Sequence, residues 1–235
     1  IKAKVIILIR NEVLKMIHDP NLTKRINDNG IEIRWYNDSR SPFKTGLLKI
    51  IEKRASLCGF DQDIKKLWAD WMPKKINKFN SFEFIGSNTR YLPRDIISFF
   101  SKLQKLNKEP PFNRIDVLTA LNNYSDWFQS ELKDAITGIL DEKVRDCTSD
   151  ILSELGREFE LDDLEKKLEE RNLSTIVSVE NFAKELFNSS WIGNIWFDEK
   201  GDKRFSWKHR KTNANINLKN RIQVHPGLWK SLNLI

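Results

Sequence analysis

Two arginines four residues apart, Arg90 and Arg94, are the side chains of this sequence best placed for chemistry. Pro93 and Asp95 beside them are typical of a first helical turn. Proline lacks the N–H that would be unpaired there, and a carboxylate opposes the positive end of the helix dipole. An arginine fixed at a helix N-terminus is well placed to bind a phosphate. The alternative is an exposed arginine beside an ordinary capped helix, so the surrounding elements have to decide.

The other parts of a nucleotide site or a metal site are missing from the sequence. No glycine is followed by lysine, which excludes the phosphate-loop pattern, and no apolar strand ends in the acidic pair that holds magnesium. The histidines, His18, His209 and His225, stand at no metal-ligand spacing from one another or from a cysteine. We therefore predict no catalytic residue, no metal site and no ATP hydrolysis in this chain alone.

Composition and charge limit the classes of protein to which this chain can belong. The longest apolar run, Val5–Ile9, is too short to span a bilayer, and no secretory signal peptide is visible. Cys58 and Cys147 do not suggest a disulfide framework, so we predict a cytoplasmic protein with free thiols and no membrane partner. The net charge of +7 hides an acidic middle between two basic ends, which argues against a simple nucleic-acid-coating protein.

The elements that must position the arginines begin with the edge of an α/β sheet. Val5–Ile9 predicts a buried central strand, and a short helix over residues 12–17 and an alternating strand at Ile31–Trp35 follow. A hydrophobic strand is a poor place to begin a domain, and the rest of such a sheet is not in this sequence. We therefore expect the chain to be a fragment of a larger protein.

Helices dominate the remainder of the sequence. Apolar spacing and helix breakers predict three helices before Glu109-Pro110-Pro111, the clearest linker, and five after it, the first two of which meet at Tyr124. An aromatic hairpin over residues 191–210 comes last, and helices followed by a hairpin are the order of a winged helix. The predicted fold class is α+β and mostly helical. Its domains are the edge of a nucleotide-binding α/β domain, a helical domain and a winged-helix domain, over residues 1–38, 39–109 and 110–235.

This order of elements resembles the C-terminal half of bacterial P-loop ATPases of the AAA+/STAND type. The resemblance rests on the strands Lys4–Arg10 and Ile31–Trp35, the helical segment Leu47–Arg54, Arg90–Asp95 and the winged helix. It is strongest to those ATPases whose helical lid carries an Arg-Pro-Arg-Asp sequence and which often occur in phage-defence or regulatory contexts. The resemblance implies ATP and Mg²⁺ as cofactors of the parent protein, and the rest of the ATPase or sister subunits as partners.

The resemblance also implies roles for individual residues. Arg10 and Asn11, which end the first predicted strand, would act as a sensor near the γ-phosphate. Arg94 would reach the nucleotide from the lid as a second sensor, since an arginine stabilises charge on a transferring phosphoryl group. Leu92 stands where the family has its first arginine, which leaves open whether Arg90 or Arg94 faces the phosphates. For Arg10, the alternative is a strand-end arginine paired with a carboxylate.

A basic strand near the end of the chain is a candidate nucleic-acid contact. Strand alternation over Lys203–Lys211 places Arg204, Lys208 and Arg210 on one face, where they would contact a phosphate backbone. The helix before the hairpin, Val179–Asn188, has no arginine and is a poor base-reading helix. The alternative is a solvated basic strand docked on the acidic middle segment.

The function predicted from these features is the C-terminal portion of an ATP-dependent switch or assembly ATPase. Its lid would close on ATP, and its winged helix would hold the resting state or bind a partner. Two other classes remain open, a winged-helix DNA-binding regulator and a pure protein-interaction module.

Overall fold

The computed structural model describes residues 5–9, 17–31, 33, 35, 45–211 and 213–234. The chain divides into two compact units, residues 1–34 and 35–235. In the described parts of the chain, helices dominate and the sheets are small and antiparallel, which confirms the predicted α+β class.

The first unit contains helix α1 (Leu22–Asn29), which buries none of its residues. The structure contradicts the predicted buried strand at Val5–Ile9, since these residues form no strand and are 44 to 88% exposed. Ile31 and Ile33, in the second predicted strand, are also exposed and outside any strand. An apolar strand needs neighbours on both faces, and the described residues of this unit supply none. The helix predicted over residues 12–17 lies mostly outside the described residues.

The second unit begins with helices and a short hairpin. Their bounds are α2 (Gly46–Leu57), α3 (Ile64–Trp71), β1 (Lys75–Ile76), β2 (Phe79–Asn80), α4 (Ser81–Ser87) and α5 (Pro93–Gln104). Helices α2, α3 and α5 confirm the three helices predicted from the apolar spacing, and Pro93 occupies the first turn of α5 as predicted. The hairpin and α4 were not predicted, because strands of two residues and a helix of seven are too short to show a period.

One long helix, α6 (Arg114–Ala135), stands where the sequence predicts two helices meeting at Tyr124. Neither proline nor glycine interrupts α6, and the ring of Tyr124 stacks on that of Phe128 one turn later, with centroids 5.5 Å apart. Asn113 caps the helix, because its side-chain oxygen accepts hydrogen bonds from two backbone N–H groups of the first turn. The helix is therefore continuous through Tyr124.

The predicted domain boundary at Pro110-Pro111 falls inside the second compact unit. Helices α5 and α6, on either side of it, pack closely, and buried Phe99 meets Tyr124 edge-on with ring centroids 6.2 Å apart. The backbone N–H of Phe112 donates to the carbonyl of Trp71 at 2.8 Å. The proline pair therefore turns the chain without separating two cores.

The C-terminal part alternates helices with a four-stranded sheet. Its elements are α7 (Glu142–Leu155), β3 (Glu158–Phe159), α8 (Leu161–Glu170), α9 (Val179–Asn188), β4 (Ile192–Phe197), β5 (Lys203–Ser206), β6 (Arg221–Val224) and a 3₁₀ turn (Pro226–Leu228). The strand order is β3-β6-β4-β5, antiparallel throughout. The predicted β4–β5 hairpin is confirmed, and helix–strand–helix–helix–strand–strand is the element order expected of a winged helix.

A continuous apolar core joins α6 to the C-terminal sheet. The indole N–H of buried Trp191 donates to the carbonyl of Leu132 at 3.0 Å. The hydroxyl of Ser125 donates to the carbonyl of Gly227 in the 3₁₀ turn at 2.6 Å. Gly227 lies so close to the α4–α5 connection that a Cβ would stand 2.3 Å from the carbonyl oxygen of Asn88. The 3₁₀ turn is therefore pressed directly onto the helical part.

Candidate functional site

Arg90, just before α5, is held by a buried carboxylate. Its Nε and Nη2 donate to the two oxygens of Asp95 at 2.9 and 2.8 Å, and its backbone N–H donates to Oδ2 at 2.9 Å. The Asp95 side chain is fully buried, and that of Arg90 is only 13% exposed. The guanidinium also lies over the ring of Phe128, 5.2 Å from its centroid. Arg90 is thus committed to partners within the protein.

The electrostatics of Arg90 follow from this pairing. Burial by itself would lower the pKa of Arg90, but the hydrogen bond and the charge of Asp95 outweigh burial, and the pKa is raised. Tyr124 lies in the same field: burial, followed by the charge of Asp95, raises the pKa of its hydroxyl well above the ordinary value. That hydroxyl is buried without a hydrogen-bond partner. The arginine is therefore charged and the tyrosine neutral at physiological pH.

Arg94, in the first turn of α5, is in a different position. Its side chain is 69% exposed, and its Nη1 lies 2.8 Å from Oε2 of Glu131 on α6. The Nη2 atom of Arg90 approaches the same oxygen at 4.0 Å. Glu131 therefore stands between the two arginines, and Arg94 is the one whose guanidinium is open to a ligand.

Two histidines pack against each other near Arg90. The ring centroids of His209 and His225 are 5.2 Å apart, and the ring of His225 lies 4.9 Å from that of Phe128. The Nδ1 atom of His225 accepts the backbone N–H of Gly227 at 3.0 Å. The Nε2 atom of His209 is buried without a hydrogen-bond partner. No pattern in the sequence indicates this pair, because the two histidines meet only through the fold of the C-terminal segment.

Both histidines are neutral at physiological pH. Burial lowers the pKa of His209 well below its ordinary value, and the neighbouring His225 and the charges of Arg210 and Arg90 lower it further. Burial likewise lowers the pKa of His225, again with contributions from Arg210 and Arg90. Among the described residues, no group of three or more histidine, cysteine or acidic side chains is arranged to hold a metal ion.

The basic face predicted on the last strand is not formed. Arg204 lies on β5, where its Nε donates to Asp198 at 2.7 Å. Strand β5 ends before Lys208 and Arg210, which lie in the following turn. Lys208 donates to a backbone carbonyl of the next loop at 2.7 Å, and the guanidinium of Arg210 lies 5.5 Å from the ring centroid of Tyr91. A strand of four residues is too short to align all three cations.

The remaining predicted site residues are Arg10 and Asn11, the strand-end sensor. Both lie outside the described residues, so their role stays a prediction. Cys58 and Cys147 are free, as the sequence predicts. No helix in the described part of the chain has the length and apolar character needed to cross a membrane.

Comparison with known proteins relates the helical part of the chain to a family. Residues 45–133 are similar to a family described as the FunZ-associated C-terminal helical domain. Searches of curated proteins and of solved structures found no significant match. The matched region runs from the start of α2 almost to the end of α6 and contains Arg90, Arg94, Asp95 and Glu131. The similarity therefore covers less than half of the chain and is consistent with a C-terminal domain of a larger protein.

Proposed function

We propose that this chain is the C-terminal portion of an ATP-dependent switch or assembly ATPase, of the kind that occurs in phage-defence and regulatory contexts. The similarity of residues 45–133 to a C-terminal helical domain supports this proposal. The order of a helical domain followed by a winged-helix arrangement supports it as well. The parent protein would bind ATP and Mg²⁺ through a phosphate loop and acidic residues that this sequence does not contain.

The observation that carries the proposal is the difference between the two arginines. Arg90 donates three hydrogen bonds to buried Asp95. Moving the guanidinium onto a ligand would therefore leave that carboxylate buried without its main partner. Arg94 is exposed in the first turn of a helix and is held by a single ion pair with Glu131. Exposed pairs of this kind are weak, with a typical worth of about 0–1 kcal/mol. Arg94 is therefore the lid arginine that would bind a nucleotide phosphate.

Glu131 gives the proposed lid a connection to α6. A phosphate that took Arg94 would remove one of the two cations near the Glu131 carboxylate and leave Arg90 at 4.0 Å as the other. The positive end of the α5 dipole would favour the same anion. The helix–sheet part after α6 would then hold the resting state or bind a partner. Nucleotide binding at Arg94 would affect that part through α6.

Titration of this chain with ATP and Mg²⁺, followed by backbone amide chemical shifts, tests the proposal. Weak binding is expected, with shifts centred on the first turn of α5. Arg94→Ala should weaken binding by about tenfold or more, since a charge-assisted hydrogen bond contributes about 1.5–3 kcal/mol. The matched control is Arg114→Ala, because Arg114 also begins a helix and makes one polar side-chain contact, with Asn77 at 2.7 Å.

Two results would contradict the proposal. Equal weakening of ATP binding by both substitutions would show that binding depends only on the overall positive charge of the chain. ATP turnover by this chain alone, lost on Arg94→Ala, would mean that it carries a complete catalytic site and is no fragment of one.

A DNA-binding regulator is the second candidate, and the winged-helix order of elements favours it. This candidate predicts a salt-dependent affinity for duplex DNA that is weakened by reversing the charge of Arg204. Absence of duplex binding at low ionic strength would remove it.

A further inference from the structure

A shallow groove runs along the β4–β5 hairpin beside the loop over residues 213–220. The residues that line it are uncharged and carry amide, hydroxyl or aromatic side chains: Asn194, Trp196, Phe197, Ser206, Asn215, Asn217 and Asn220. Buried Asn194 fixes the loop against the hairpin, because its Nδ2 donates to the carbonyl of Asn217 at 3.0 Å and its Oδ1 accepts the Asn217 N–H at 2.7 Å. The groove is therefore held in shape by the fold itself.

The indole ring of Trp196 is open to solvent. Trp196 is 39% exposed, although the core of the C-terminal part is otherwise filled by buried apolar side chains. In the antiparallel register, Trp196 stands directly opposite Arg204. Directly opposite residues share one face of a sheet, so a cation flanks the exposed indole. An exposed ring beside an arginine is suited to stack on a flat, negatively charged ligand.

The chain from the end of the hairpin loop onward is rich in cations. Residues 201–235 contain eight lysines and arginines and a single aspartate. Lys219 is exposed in the loop between Asn217 and Asn220, two residues that line the groove. Arg204 makes surface ion pairs with Asp198 and, at 3.5 Å, with Asp202, and a phosphate competes readily with carboxylates in such exposed pairs. The groove thus combines an uncharged lining with one cation on the hairpin, Arg204, and another in the adjoining loop, Lys219.

We propose that this groove binds single-stranded nucleic acid. A base would stack on Trp196, the asparagine amides would meet base edges, and Arg204 and Lys219 would contact phosphates. A single strand fits better than a duplex, because the bases of a duplex have their faces covered and offer none to an indole ring. A neutral oligosaccharide would leave the flanking cations without a role. This binding rests on the hairpin and the loop beside it and is independent of the proposed nucleotide switch.

Fluorescence anisotropy of a labelled oligothymidine of about twelve nucleotides, a length within the usual site size, tests the proposal with this chain. Trp196→Ala should weaken binding by about tenfold or more, since stacking on one ring is worth about 1–3 kcal/mol per base. Lys219→Glu should also weaken binding and flatten its salt dependence, whose slope falls by roughly 0.7 for each phosphate that the protein no longer neutralises. The matched control is Phe205→Ala, because Phe205 is 41% exposed on the same hairpin but faces the other side of the sheet.

Several results would overturn the proposal. They are equal affinities for the Trp196→Ala and Phe205→Ala chains, duplex binding as tight as that of the single strand, and binding of a neutral oligosaccharide in place of the oligonucleotide. Thermal melting of each variant separates loss of binding from loss of fold. If Trp196→Ala lowers the melting temperature more than Phe205→Ala does, Trp196→Phe replaces it, and retained oligonucleotide binding by that ring is then the expected result.

Discussion

Asp95→Asn tests the buried ion pair on which the α5 start depends. The substitution keeps the shape of the side chain but removes its charge, so the Arg90 guanidinium would be left with the Glu131 carboxylate at 4.0 Å as its nearest anion. Removing one partner of a buried pair costs about 3–5 kcal/mol. Because a folded domain is stable by only about 5–15 kcal/mol, we expect Asp95→Asn to remove about a fifth or more of the free energy of unfolding.

Urea denaturation followed by tryptophan fluorescence measures this loss. The midpoint should fall with an unchanged slope, because the surface exposed on unfolding stays the same. The matched control is Asp146→Asn, which removes an exposed carboxylate that also pairs with two cations, Lys133 and Arg145. Its effect should be much smaller, since solvent already screens that charge.

A double variant separates the effect of an unpaired buried charge from simple misfolding. In Arg90→Met with Asp95→Asn, no uncompensated charge remains in the core, so stability should recover in part relative to Asp95→Asn alone. The reasoning is refuted if Asp95→Asn costs no more than Asp146→Asn, or if the double variant is no more stable than the single one.

Two further predictions concern the contact between the helical part and the C-terminal segment. Because the pKa values of His209 and His225 in the folded chain lie below the ordinary 6.5, the unfolded chain binds more protons as the pH falls below that value. Stability should therefore drop on acidification by up to about 1.4 kcal/mol per pH unit for each histidine. Urea midpoints at about pH 7.5 and about pH 5.5 measure the drop; His209→Gln should flatten the profile, and an equally steep profile in that variant would count against the histidines. Gly227→Ala should cost about 1–3 kcal/mol, because the new methyl group would overlap the Asn88 carbonyl. Gly46→Ala, in the first turn of α2, should be neutral or stabilising by up to about 1 kcal/mol, because its methyl group would meet only the Trp35 ring at an ordinary contact distance. The reverse order of the two melting temperatures would contradict this account.

The sequence predicts the helices well where local chemistry determines them. Helix α5 begins at Pro93 and buries its apolar stripe as the spacing indicates. The predicted division at Tyr124 is wrong, because the sequence contains no helix breaker there and α6 continues through it. The strand at Val5–Ile9 failed for a different reason, since a buried strand is defined by its neighbours and no local pattern supplies them.

The candidate site likewise contains features that local sequence predicts and features that depend on the fold. The sequence identified Arg90 and Arg94 together, but it could not assign their roles, because the assignment depends on Glu131 and on the burial of Asp95. The predicted strand with a basic face is longer than the strand that forms, since the alternating pattern of the sequence continues beyond the point where β5 ends. The sequence does not show that the exposed indole of Trp196 lies beside a cation, because that depends on the register with Arg204 across the hairpin.

Because the 3₁₀ turn contacts α6, the helical domain depends on a neighbour that covers one side of α6. The hydroxyl of Ser125 bonds the carbonyl of Gly227 and also accepts the backbone N–H of Ser231 at 3.0 Å. The same face of α6 carries the buried rings of Tyr124 and Phe128. The region similar to the FunZ-associated family ends at residue 133, so that region taken alone would present this apolar face and an unpaired hydroxyl to water. A protein that has the helical domain but lacks this C-terminal sheet therefore needs another domain, or another chain, to cover the same side of α6.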